Sequence, residues 1–379
     1  MRNVDDVYRE LRKIMPAEGS AAPPLPAAVA ILHRDETGLE VYIGKRSPTM
    51  RFLPGFWAFP GGKQDAEDMN PASAAARELQ EETGVVVASS ELRPAGRWVT
   101  PNVSSLRYDT HFFLASLPSG QEPDFRQSDG ELVAGRWIRP QAALDEFEAG
   151  GLLMSAPLVG VMRALVDGLE GGAERATQIA QLSERAPRLW PVAGGLAISP
   201  LKTPTLPPAT RTNCLVVGSE ELIVIDPATP DALEREHLCR ALDQRISQGQ
   251  VVSEIWLTHH HYDHIAAAEH LSERYQAPIC AHALTAELLR GTCRVDRHLP
   301  DAHRRVLGGP LERELECIFT PGHAPGHLCF FERRTGAMIV GDMVASVGSI
   351  IIDPSEGDMA AYLDSLRRIR DRKPRILLP

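Results

Sequence analysis

The chain has 379 residues, of which 43% are hydrophobic and 24% are charged, and its formal net charge is −10. This length predicts two or more domains, and the composition is that of an ordinary globular protein whose domains can each bury a core. The acidic balance argues against a broad nucleic-acid-binding surface, although a local basic groove would not show in a net figure.

Membrane and secretion signals are missing from the sequence. No apolar run approaches the ~18 residues that a membrane-spanning helix needs, and the start of the chain has no signal-peptide core. We therefore expect a cytoplasmic protein without membrane contact. The six cysteines all lie in the second half and form no CxxC pair. Reduced, mostly buried thiols are expected.

The first half of the chain alternates strand and helix patterns. Apolar residues at helical spacing predict a short amphipathic helix over residues 1–15, and an Ala- and Pro-rich linker follows up to residue 25. Strands are predicted at 27–32, 39–45, 57–59, 97–99, 108–115 and 135–138, and helices at 71–83, 141–148 and 156–169. This order is typical of a mixed α/β domain.

The segment from Phe59 to Val85, FPGGKQDAEDMNPASAAARELQEETGV, carries the strongest chemical signal of the first half. Asn70 followed by Pro71 predicts a helix start. The Asn70 side chain can cap the helix, and Pro71, as its first residue, has a preset φ. Gly84 predicts the end of that helix.

Three glutamates of this helix stand at i, i+3 and i+4 and share one face: Glu78, Glu81 and Glu82. Like charges at this spacing repel by about 0.2–0.5 kcal/mol per pair, so the arrangement favours a cation between them. Carboxylate oxygens suit Mg²⁺ or Mn²⁺. Arg77 is placed to reach Glu81 at i+4 and to fix its orientation. A solvated acidic helix face is the alternative interpretation.

The letters around the glutamates resemble the Nudix box, which is a Gly, five residues, a Glu, seven residues and then REUxEExGU with U aliphatic. Gly62 and the run from Arg77 to Val85 match it. Two departures are visible, since Asp68 stands in place of the Glu and eight residues rather than seven separate it from Arg77. A branch of the family that includes coenzyme A diphosphatases tolerates a similar PGGKxDxxD start.

The Nudix resemblance covers residues 26–168 and implies an α/β/α sandwich. It implies Mg²⁺- or Mn²⁺-dependent hydrolysis of a diphosphate linkage in a nucleoside-diphosphate-X or coenzyme A-type substrate. By the same resemblance, the three glutamates bind the metal, one of them serves as base, and Gly61 and Gly62 form the tight loop that positions the helix. Arg46, Arg51 and Lys63 are expected to contact substrate phosphates, although exposed basic residues are commonly just solvated.

A boundary and a second α/β pattern follow. Residues 169–190 are expected to be a linker, with one Gly-Gly pair and a short helical pattern around 173–185. Strands are predicted at 214–217, 222–225, 254–257 and 337–340, and helices at 231–246 and 358–369.

The strand at 254–257 leads into THHHYDH, residues 258–264. Alternating residues of an extended segment point the same way, so His259 and His261 can converge on one ion. Asp263 and His264 can serve a second ion. Isolated surface or core histidines are the alternative interpretation.

Two later segments complete this set. The turn Thr320-Pro321-Gly322-His323 supplies a third imidazole for the first ion, and Asp342 follows an apolar strand with a carboxylate able to bridge both ions. Three further histidines are expected to lie outside the site: His260, His282 and His327.

This constellation resembles the metallo-β-lactamase superfamily, with Asp226 matching the first motif as a supporting residue. The resemblance implies an αββα sandwich over residues 191–379, up to two Zn²⁺ ions and a hydrolytic reaction, with Asp263 counted among the catalytic groups. The helical end of the chain is most similar to the branch of glyoxalase II-type thioesterases and lactamase-β-like endoribonucleases. Its substrate would be a thioester or RNA.

The same resemblance sets an expectation for the end of the chain. The family normally places a last histidine, a ligand of the second ion, in a turn after a strand, and the sequence reaches Pro379 where that turn should begin. We therefore expect a partial domain whose first ion has a full ligand set and whose second has only Asp263, His264 and Asp342.

Together the two resemblances predict a two-domain metallohydrolase acting on a small-molecule nucleotide or coenzyme A-type substrate. In one alternative, the zinc domain is the main catalyst, a phosphodiesterase or nuclease, and the Nudix domain only recognises a nucleotide. In another, both sites are degenerate and the protein is a binding or regulatory module. The intact glutamate face argues against the latter.

Overall fold

The computed structural model describes residues 23–50, 52–100, 106–185, 189–206, 208–346 and 348–379. They form two compact units, 23–185 and 189–379, and each has its own hydrophobic core. The helix predicted for residues 1–15 and the expected phosphate contact Arg51 lie outside the described residues.

The first unit is a mixed sheet with helices on both faces. Its strands are β1 (Leu25–Arg34), β2 (Glu40–Arg46), β3 (Trp57–Ala58), β4 (Gly61–Lys63), β5 (Arg93–Val99), β6 (Tyr108–Ser116) and β7 (Leu132–Ile138). Its helices are α1 (Pro71–Thr83), α2 (Pro140–Glu148), α3 (Ala156–Leu165) and α4 (Gly172–Arg185). The strands lie in the order β3-β2-β1-β6-β5, with β4 paired to β1 and β7 to β2.

The central strand β1 has buried residues on both faces, because both faces of the sheet are covered. Ala30 and Leu32 belong to the core under α1, where Leu79 is fully buried, whereas Ile31 belongs to the core under α2, α3 and α4. Truncating a fully buried leucine to alanine costs about 2–5 kcal/mol, so Leu79 is a main anchor of α1 on the sheet. The predicted α/β/α sandwich is confirmed.

The predicted linker differs from the structure in its first part. Residues 172–185 form α4, and Ala173, Ala176 and Ala180 are buried in the core of the first unit. Small residues at helical spacing allow α4 to approach β5 closely, and the glycines that suggested a linker form the turn before it. The helix predicted to run to residue 169 ends at Leu165, where Gly168 (φ +95°) donates its N–H to the Leu165 carbonyl.

The second unit contains two sheets. The first has β8 (Trp190–Ala193), β9 (Leu196–Lys202), β10 (Arg211–Gly218), β11 (Glu221–Ile225), β12 (Val251–Trp256), β13 (Ile279–Ala281) and β14 (Arg297–His298). The other has β15 (Arg304–Leu307), β16 (Arg313–Phe319), β17 (Leu328–Glu332), β18 (Ala337–Ile339) and β19 (Ile376–Leu378). The helices are α5 (Ala232–Ser247), α6 (Tyr262–Ile265), α7 (Ala268–Tyr275), α8 (Ala283–Leu288) and α9 (Met359–Asp371).

These elements form four layers. Trp256 of one sheet and Phe330 of the other are fully buried between the sheets, with ring centroids 5.0 Å apart. Leu238 and Leu242 of α5 are buried against the outer face of the first sheet, and Ile369 of α9 covers the second. The predicted αββα architecture is confirmed.

Parallel pairing brings the polar segments of the second unit together. Strands β11 and β12 are parallel neighbours, so their carboxyl ends lie at the same edge of the sheet. Asp226 directly follows β11, and the histidine motif at 258–264 follows β12. The fold therefore gathers at one edge residues that are distant in sequence.

The six cysteines are all free and buried, as the sequence predicted. Burial raises the pKa of the Cys280 and Cys293 thiols to about 12. In the part of the chain that the structure describes, no helix has the length and apolar character needed to cross a membrane.

Candidate metal centres

The first candidate centre lies on α1, whose ends are fixed by local hydrogen bonds. Asn70 caps the helix by accepting from the Ser73 backbone N–H at 3.0 Å, and the Ser73 hydroxyl accepts from the Asn70 N–H at 3.0 Å. Gly84 ends the helix with φ +74°, a conformation that favours glycine. The helix therefore has the predicted bounds, and its register fixes where the glutamates lie.

The loop of β4 lies directly against these glutamates. A Cβ added to Gly62 would lie 2.5 Å from the Glu78 carboxylate, so a larger residue here would displace the end of that side chain. The Gly61 backbone N–H donates to Glu82 Oε2 at 3.1 Å. Helix and loop thus hold two carboxylates at their junction.

Arg77 ties the carboxylates of this region together. Its guanidinium donates to Asp68 Oδ2 at 2.9 Å, Glu78 Oε1 at 3.0 Å and Glu81 Oε2 at 2.8 Å. It also donates to the Lys63 carbonyl at 3.0 Å. The expected contact with Glu81 is present, and Asp68, the departure from the usual box, contributes a carboxylate that holds the arginine.

The charges of this centre are unbalanced without a cation. Burial raises the pKa of Glu82 to about 8, and the neighbouring carboxylates Glu78 and Glu131 add to the rise. Burial also raises the pKa of Glu78, although Arg77 opposes this. Buried oxygen ligands that repel one another fit a hard divalent cation such as Mg²⁺ or Mn²⁺. Glu81 lies further out, with its side chain 57% exposed.

The second candidate centre follows β12 in the other unit. Four residues each offer one ligand atom, and these atoms all lie within 4.8 Å of one another: His259, His261, His323 and Asp342. His261 Nδ1 lies 2.9 Å from His259 Nε2 and 3.0 Å from His323 Nε2. Ring nitrogens facing each other at this distance need a proton or a cation between them. Three imidazoles and a carboxylate are a donor set that fits zinc.

Asp226 supports this centre from the adjacent strand end. Its backbone has φ +50°, a left-handed conformation that aspartate tolerates better than most residues. Its carboxylate accepts from the Thr258 N–H at 2.8 Å, from the Thr258 hydroxyl at 2.6 Å and from His264 Nδ1 at 2.8 Å. The other nitrogen of His264 is then directed at Asp342 Oδ1, 3.2 Å away.

Burial and charge set the protonation of these groups. Burial lowers the pKa of His259 well below its usual value, which keeps the ring neutral and able to act as a ligand. Burial alone would raise the pKa of Asp342, but His264 and His323 outweigh it and hold that pKa well below its usual range. Burial alone would lower the pKa of His264, but Asp342 and Asp226 outweigh it and raise that pKa well above its usual value. The centre therefore presents a neutral His259 beside an ionised Asp342.

One loop, residues 348–358, covers the histidines from the side. The Ile351 carbonyl accepts from His323 Nδ1 at 2.9 Å. The Glu356 carboxylate accepts from His261 Nε2 at 2.7 Å and lies 3.0 Å from His260 Nε2. His260, expected to lie outside the site, is thus at its rim and forms with His261 and Glu356 a second group of potential ligands.

Comparison with known proteins identifies both domains. The NUDIX domain family matches residues 23–154, and the metallo-beta-lactamase superfamily matches residues 207–379. The probable metallo-hydrolase YqgX of Bacillus subtilis is 30% identical over 174 residues, which cover 42% of this chain and 78% of that protein. The chain therefore contains a NUDIX domain and a metallo-beta-lactamase superfamily domain, and both are families of hydrolases.

Two further similarities concern one domain each. Hydroxyacylglutathione hydrolase of Rhodospirillum rubrum is 33% identical over 158 residues of the metallo-β-lactamase side, which cover 42% of this chain and 55% of that protein. A NUDIX hydrolase from Alicyclobacillus acidocaldarius is 28% identical in its solved structure, covering 40% of this chain and 96% of that one with a TM-score of 0.36. The chain spans about half to two thirds of the length of the first curated relatives it matches.

The structure also shows where the other residues considered for the two sites lie. In the Nudix domain, Arg46 donates from Nε to the Phe52 carbonyl at 3.1 Å, and Lys63 is exposed at the end of β4. In the metallo-β-lactamase domain, Asp263 is buried in the first turn of α6 but does not belong to the group of four ligands. His327 is fully buried with Nδ1 2.9 Å from the Thr320 hydroxyl, and the ring of His282 stacks on Phe319 at 4.5 Å.

Two acidic residues near the centres were missed in the sequence. Glu131 lies in the turn before β7 of the Nudix domain, and its charge raises the pKa of Glu78 and Glu82. Glu356 lies in the loop before α9 of the metallo-β-lactamase domain. Neither belongs to a motif that the sequence analysis recognised, so only the tertiary structure reveals their proximity to the centres.

Proposed function

We propose that the Nudix domain hydrolyses a diphosphate linkage with Mg²⁺ or Mn²⁺, and that the metallo-β-lactamase domain carries out a zinc-dependent hydrolysis. The substrate of the first would be a nucleoside-diphosphate-X or coenzyme A-type molecule. The observation that carries the proposal is the group of three imidazoles and one carboxylate in the second domain, together with the buried carboxylates of Glu78 and Glu82 beside the Gly61-Gly62 loop in the first. Such sets select different ions.

In the Nudix domain, the residues of the chain hold charge and orient the reacting groups. A divalent ion bound there would neutralise diphosphate oxygens and lower the pKa of a water. Glu78 and Glu82 would hold it from the buried face, and the Gly61 N–H fixes one of them. Arg46, close enough to Glu82 to lower its pKa, would contact a substrate phosphate together with Lys63.

In the metallo-β-lactamase domain, His259, His261 and His323 would hold zinc and Asp342 would share it with a second ion. Zinc in such a site polarises a carbonyl or phosphoryl group and lowers the pKa of a water. Asp263 and His264 would serve the second ion, and Asp226 keeps the His264 ring in one orientation.

A thioester is the substrate class that we propose for the zinc domain. The similarity to hydroxyacylglutathione hydrolase supports hydrolysis of an acyl-sulfur bond. The endoribonuclease alternative lacks a comparable relative among those described above.

Acyl-coenzyme A would test both proposals at once, because one molecule contains a diphosphate linkage and a thioester. The purified chain would be incubated with Mg²⁺ and Zn²⁺ and with acyl-coenzyme A, nucleotide sugars, dinucleoside polyphosphates, NADH, ADP-ribose, acylglutathione and RNA, and the products analysed by mass spectrometry. We expect diphosphate cleavage that is lost in Glu82→Gln and thioester cleavage that is lost in His261→Ala.

Other outcomes would assign the domains differently. Diphosphate cleavage that persists in Glu82→Gln would make the Nudix domain a recognition module or place its catalysis elsewhere. RNA cleavage without thioester cleavage would replace the proposed substrate of the zinc domain. Absence of turnover by either domain would favour a binding or regulatory protein.

A further inference from the structure

The loop before α9 contacts two of the three histidines in the candidate zinc centre. Glu356 Oε1 lies 2.7 Å from His261 Nε2, and the Ile351 carbonyl lies 2.9 Å from His323 Nδ1. Both protein partners are oxygen acceptors. In each pair the histidine nitrogen must therefore be the donor.

These hydrogen bonds decide which nitrogen of each ring is left as a ligand. A neutral imidazole carries its proton on one nitrogen and its free lone pair on the other. With the proton of His261 on Nε2, the lone pair is on Nδ1, the atom that lies 2.9 Å from His259 Nε2. With the proton of His323 on Nδ1, the lone pair is on Nε2, which lies 3.0 Å from the same His261 atom. The loop thus directs both lone pairs to one point.

The turn that presents Glu356 is held by its own hydrogen bonds. Asp353 Oδ1 accepts from the Ser355 N–H at 2.8 Å, and the Asp353 carbonyl accepts from the N–H groups of Glu356 and Gly357 at 3.2 and 2.6 Å. A Cβ on Gly357 would lie 2.9 Å from the Asp353 carbonyl oxygen. These hydrogen bonds fix the backbone that carries Glu356, although the turn itself lies at the surface.

The same turn is anchored beside a ligand histidine. The Asp358 N–H donates to the Gly322 carbonyl at 2.8 Å, directly before His323 in the chain. Asp358 also caps α9 by accepting from the Ala361 N–H at 2.9 Å. Helix α9, the turn and the histidine centre form one hydrogen-bonded assembly.

We propose that Glu356 is a positioning residue of the zinc centre, which holds His261 in the tautomer that leaves Nδ1 free for the ion. A carboxylate that accepts from the outer nitrogen of a ligand histidine fixes the ring orientation and raises its basicity. The proposal rests on the proposed function, because it requires the three histidines to bind zinc.

A different role for Glu356 would be that of a direct ligand. Its carboxylate lies between His260 and His261, and these three residues have ligand atoms within 4.8 Å of one another. Hydrogen bonds of 2.7 and 3.0 Å already account for the geometry of both contacts. Hydrogen bonding is therefore the role that we assign.

Zinc affinity of the full chain, measured by competition with a chromophoric chelator, tests the assignment. We expect Glu356→Ala to bind zinc about 10–100-fold more weakly, as is usual for loss of such an outer partner. Glu356→Gln keeps one acceptor oxygen, so its loss should be smaller. Glu312→Ala, at an exposed glutamate of the same unit, is the matched control and should bind as the wild type does.

A second readout follows the tautomer itself. Histidine ¹⁵N NMR of the metal-free protein should show Nε2 of His261 fully protonated in the wild type, whether or not a shared proton lies at Nδ1, and only partly protonated in Glu356→Ala. The absorption spectrum of Co²⁺-loaded Glu356→Ala should differ from that of the Co²⁺-loaded wild type. The spectrum of Co²⁺-loaded Glu312→Ala should match that of the wild type. A loop that merely contributes to folding would not alter the tautomer of one ring.

Several results would overturn the positioning role. Unchanged zinc affinity in Glu356→Ala would do so, as would a His261 in the wild type whose Nε2 carries no proton. Loss of one whole equivalent of zinc in both His260→Ala and Glu356→Ala would make these residues ligands of an ion of their own; we expect His260→Ala to retain wild-type stoichiometry. A wild-type chain that binds no zinc would refute the proposed zinc function itself, which separates the two failures.

Discussion

The two centres of this protein are built in contrasting ways. In the Nudix domain, the glutamates come from one helix, whose geometry sets their spacing, and a single arginine connects two of them. In the metallo-β-lactamase domain, the ligands come from three separate segments, and groups outside the ligand set orient them: Asp226, Ile351 and Glu356. A helix needs few external supports, whereas a centre built on loops depends on hydrogen bonds from distant parts of the chain.

Removal of a ligand from the loop-built centre should have the largest effect. We expect His261→Ala to lose zinc and to reduce thioester hydrolysis on the order of a thousandfold, because metal catalysis supplies several kcal/mol and each ~1.4 kcal/mol is a factor of ten. Zinc content by atomic emission and steady-state kinetics would measure this. Diphosphate hydrolysis by the same variant, and both activities of His270→Ala at an exposed histidine, should stay near wild type.

In the helix-built centre, Glu82→Gln should reduce diphosphate hydrolysis by about 10²–10³-fold, which is in the range for loss of a positioned acid–base group. Its carboxylate is the buried one that the Gly61 N–H holds. Initial rates at saturating Mg²⁺ would measure the loss. Glu67→Gln, at an exposed position of the preceding loop, is the control. Equal rates in both variants would contradict a role for Glu82 in turnover.

The arginine that connects the helix-built centre should be less critical than a ligand. Arg77→Lys keeps the charge but cannot donate to three carboxylates in the same fork geometry. We expect kcat of diphosphate hydrolysis to fall about tenfold, a change of ~1.4 kcal/mol. Arg163→Lys, at an exposed position of α3, should have no effect. A loss as large as that of Glu82→Gln would mean that Arg77 itself contacts the substrate.

The supports of the loop-built centre can be tested through stability. We expect Asp226→Asn to destabilise the metal-free second unit by about 1–3 kcal/mol, because buried donors of Thr258 and His264 lose their charged acceptor. Asparagine tolerates the left-handed backbone, so strain should not contribute. Denaturant unfolding, monitored by hydrogen exchange of the amides in this unit, would give the change in the free energy of unfolding. Asp364→Asn, at an exposed residue of α9, should change nothing measurable.

The smallest effect should be a gain in thermal stability of metal-free Glu82→Gln that depends on pH. Burial raises the pKa of Glu82 to about 8, above its value in the unfolded chain, so the folded state binds a proton that the unfolded state releases. This contribution is present at low pH and is lost as the pH rises from about 5 through 8. Metal-free Glu82→Gln should therefore unfold at a higher temperature than the wild type at pH 8.5 and at a similar one at pH 4.5. A difference independent of pH would contradict the raised pKa.

The sequence predicted the local parts of this structure well. The bounds of α1 follow from Asn70, Pro71 and Gly84, which act on the backbone within one turn, and the structure has the same bounds. Ten of the strands that the structure describes were predicted, and most of these extend one to four residues beyond the predicted bounds, because pairing with a neighbour continues past the apolar run. Nine were not predicted: β4, β8, β9, β13, β14, β15, β16, β17 and β19. The helical pattern within the predicted linker is present as α4, but this helix belongs to the core of the first unit.

Contacts between distant residues were the part that the sequence did not predict. His261 and Glu356 are 95 residues apart, and no spacing rule connects them. The same holds for Glu131, an exposed glutamate in the turn before β7. Its charge acts on Glu82 of α1 only because the fold brings the two together. The ligand positions themselves were suggested by motifs, and the structure brings three of the histidines and Asp342 together. The roles of these residues in binding and catalysis stay predictions.

The long separation between His261 and Glu356 also has a consequence for protein synthesis. A chain emerging from the ribosome folds its early domain first, and the Nudix centre needs only residues up to Glu131. The histidine centre spans Asp226 to Glu356, so a nascent chain displays its histidines well before the carboxylate that orients His261 has been made. Any metal bound at that centre would therefore gain the contact that orients His261 only after the turn at residues 353–357 has left the ribosome.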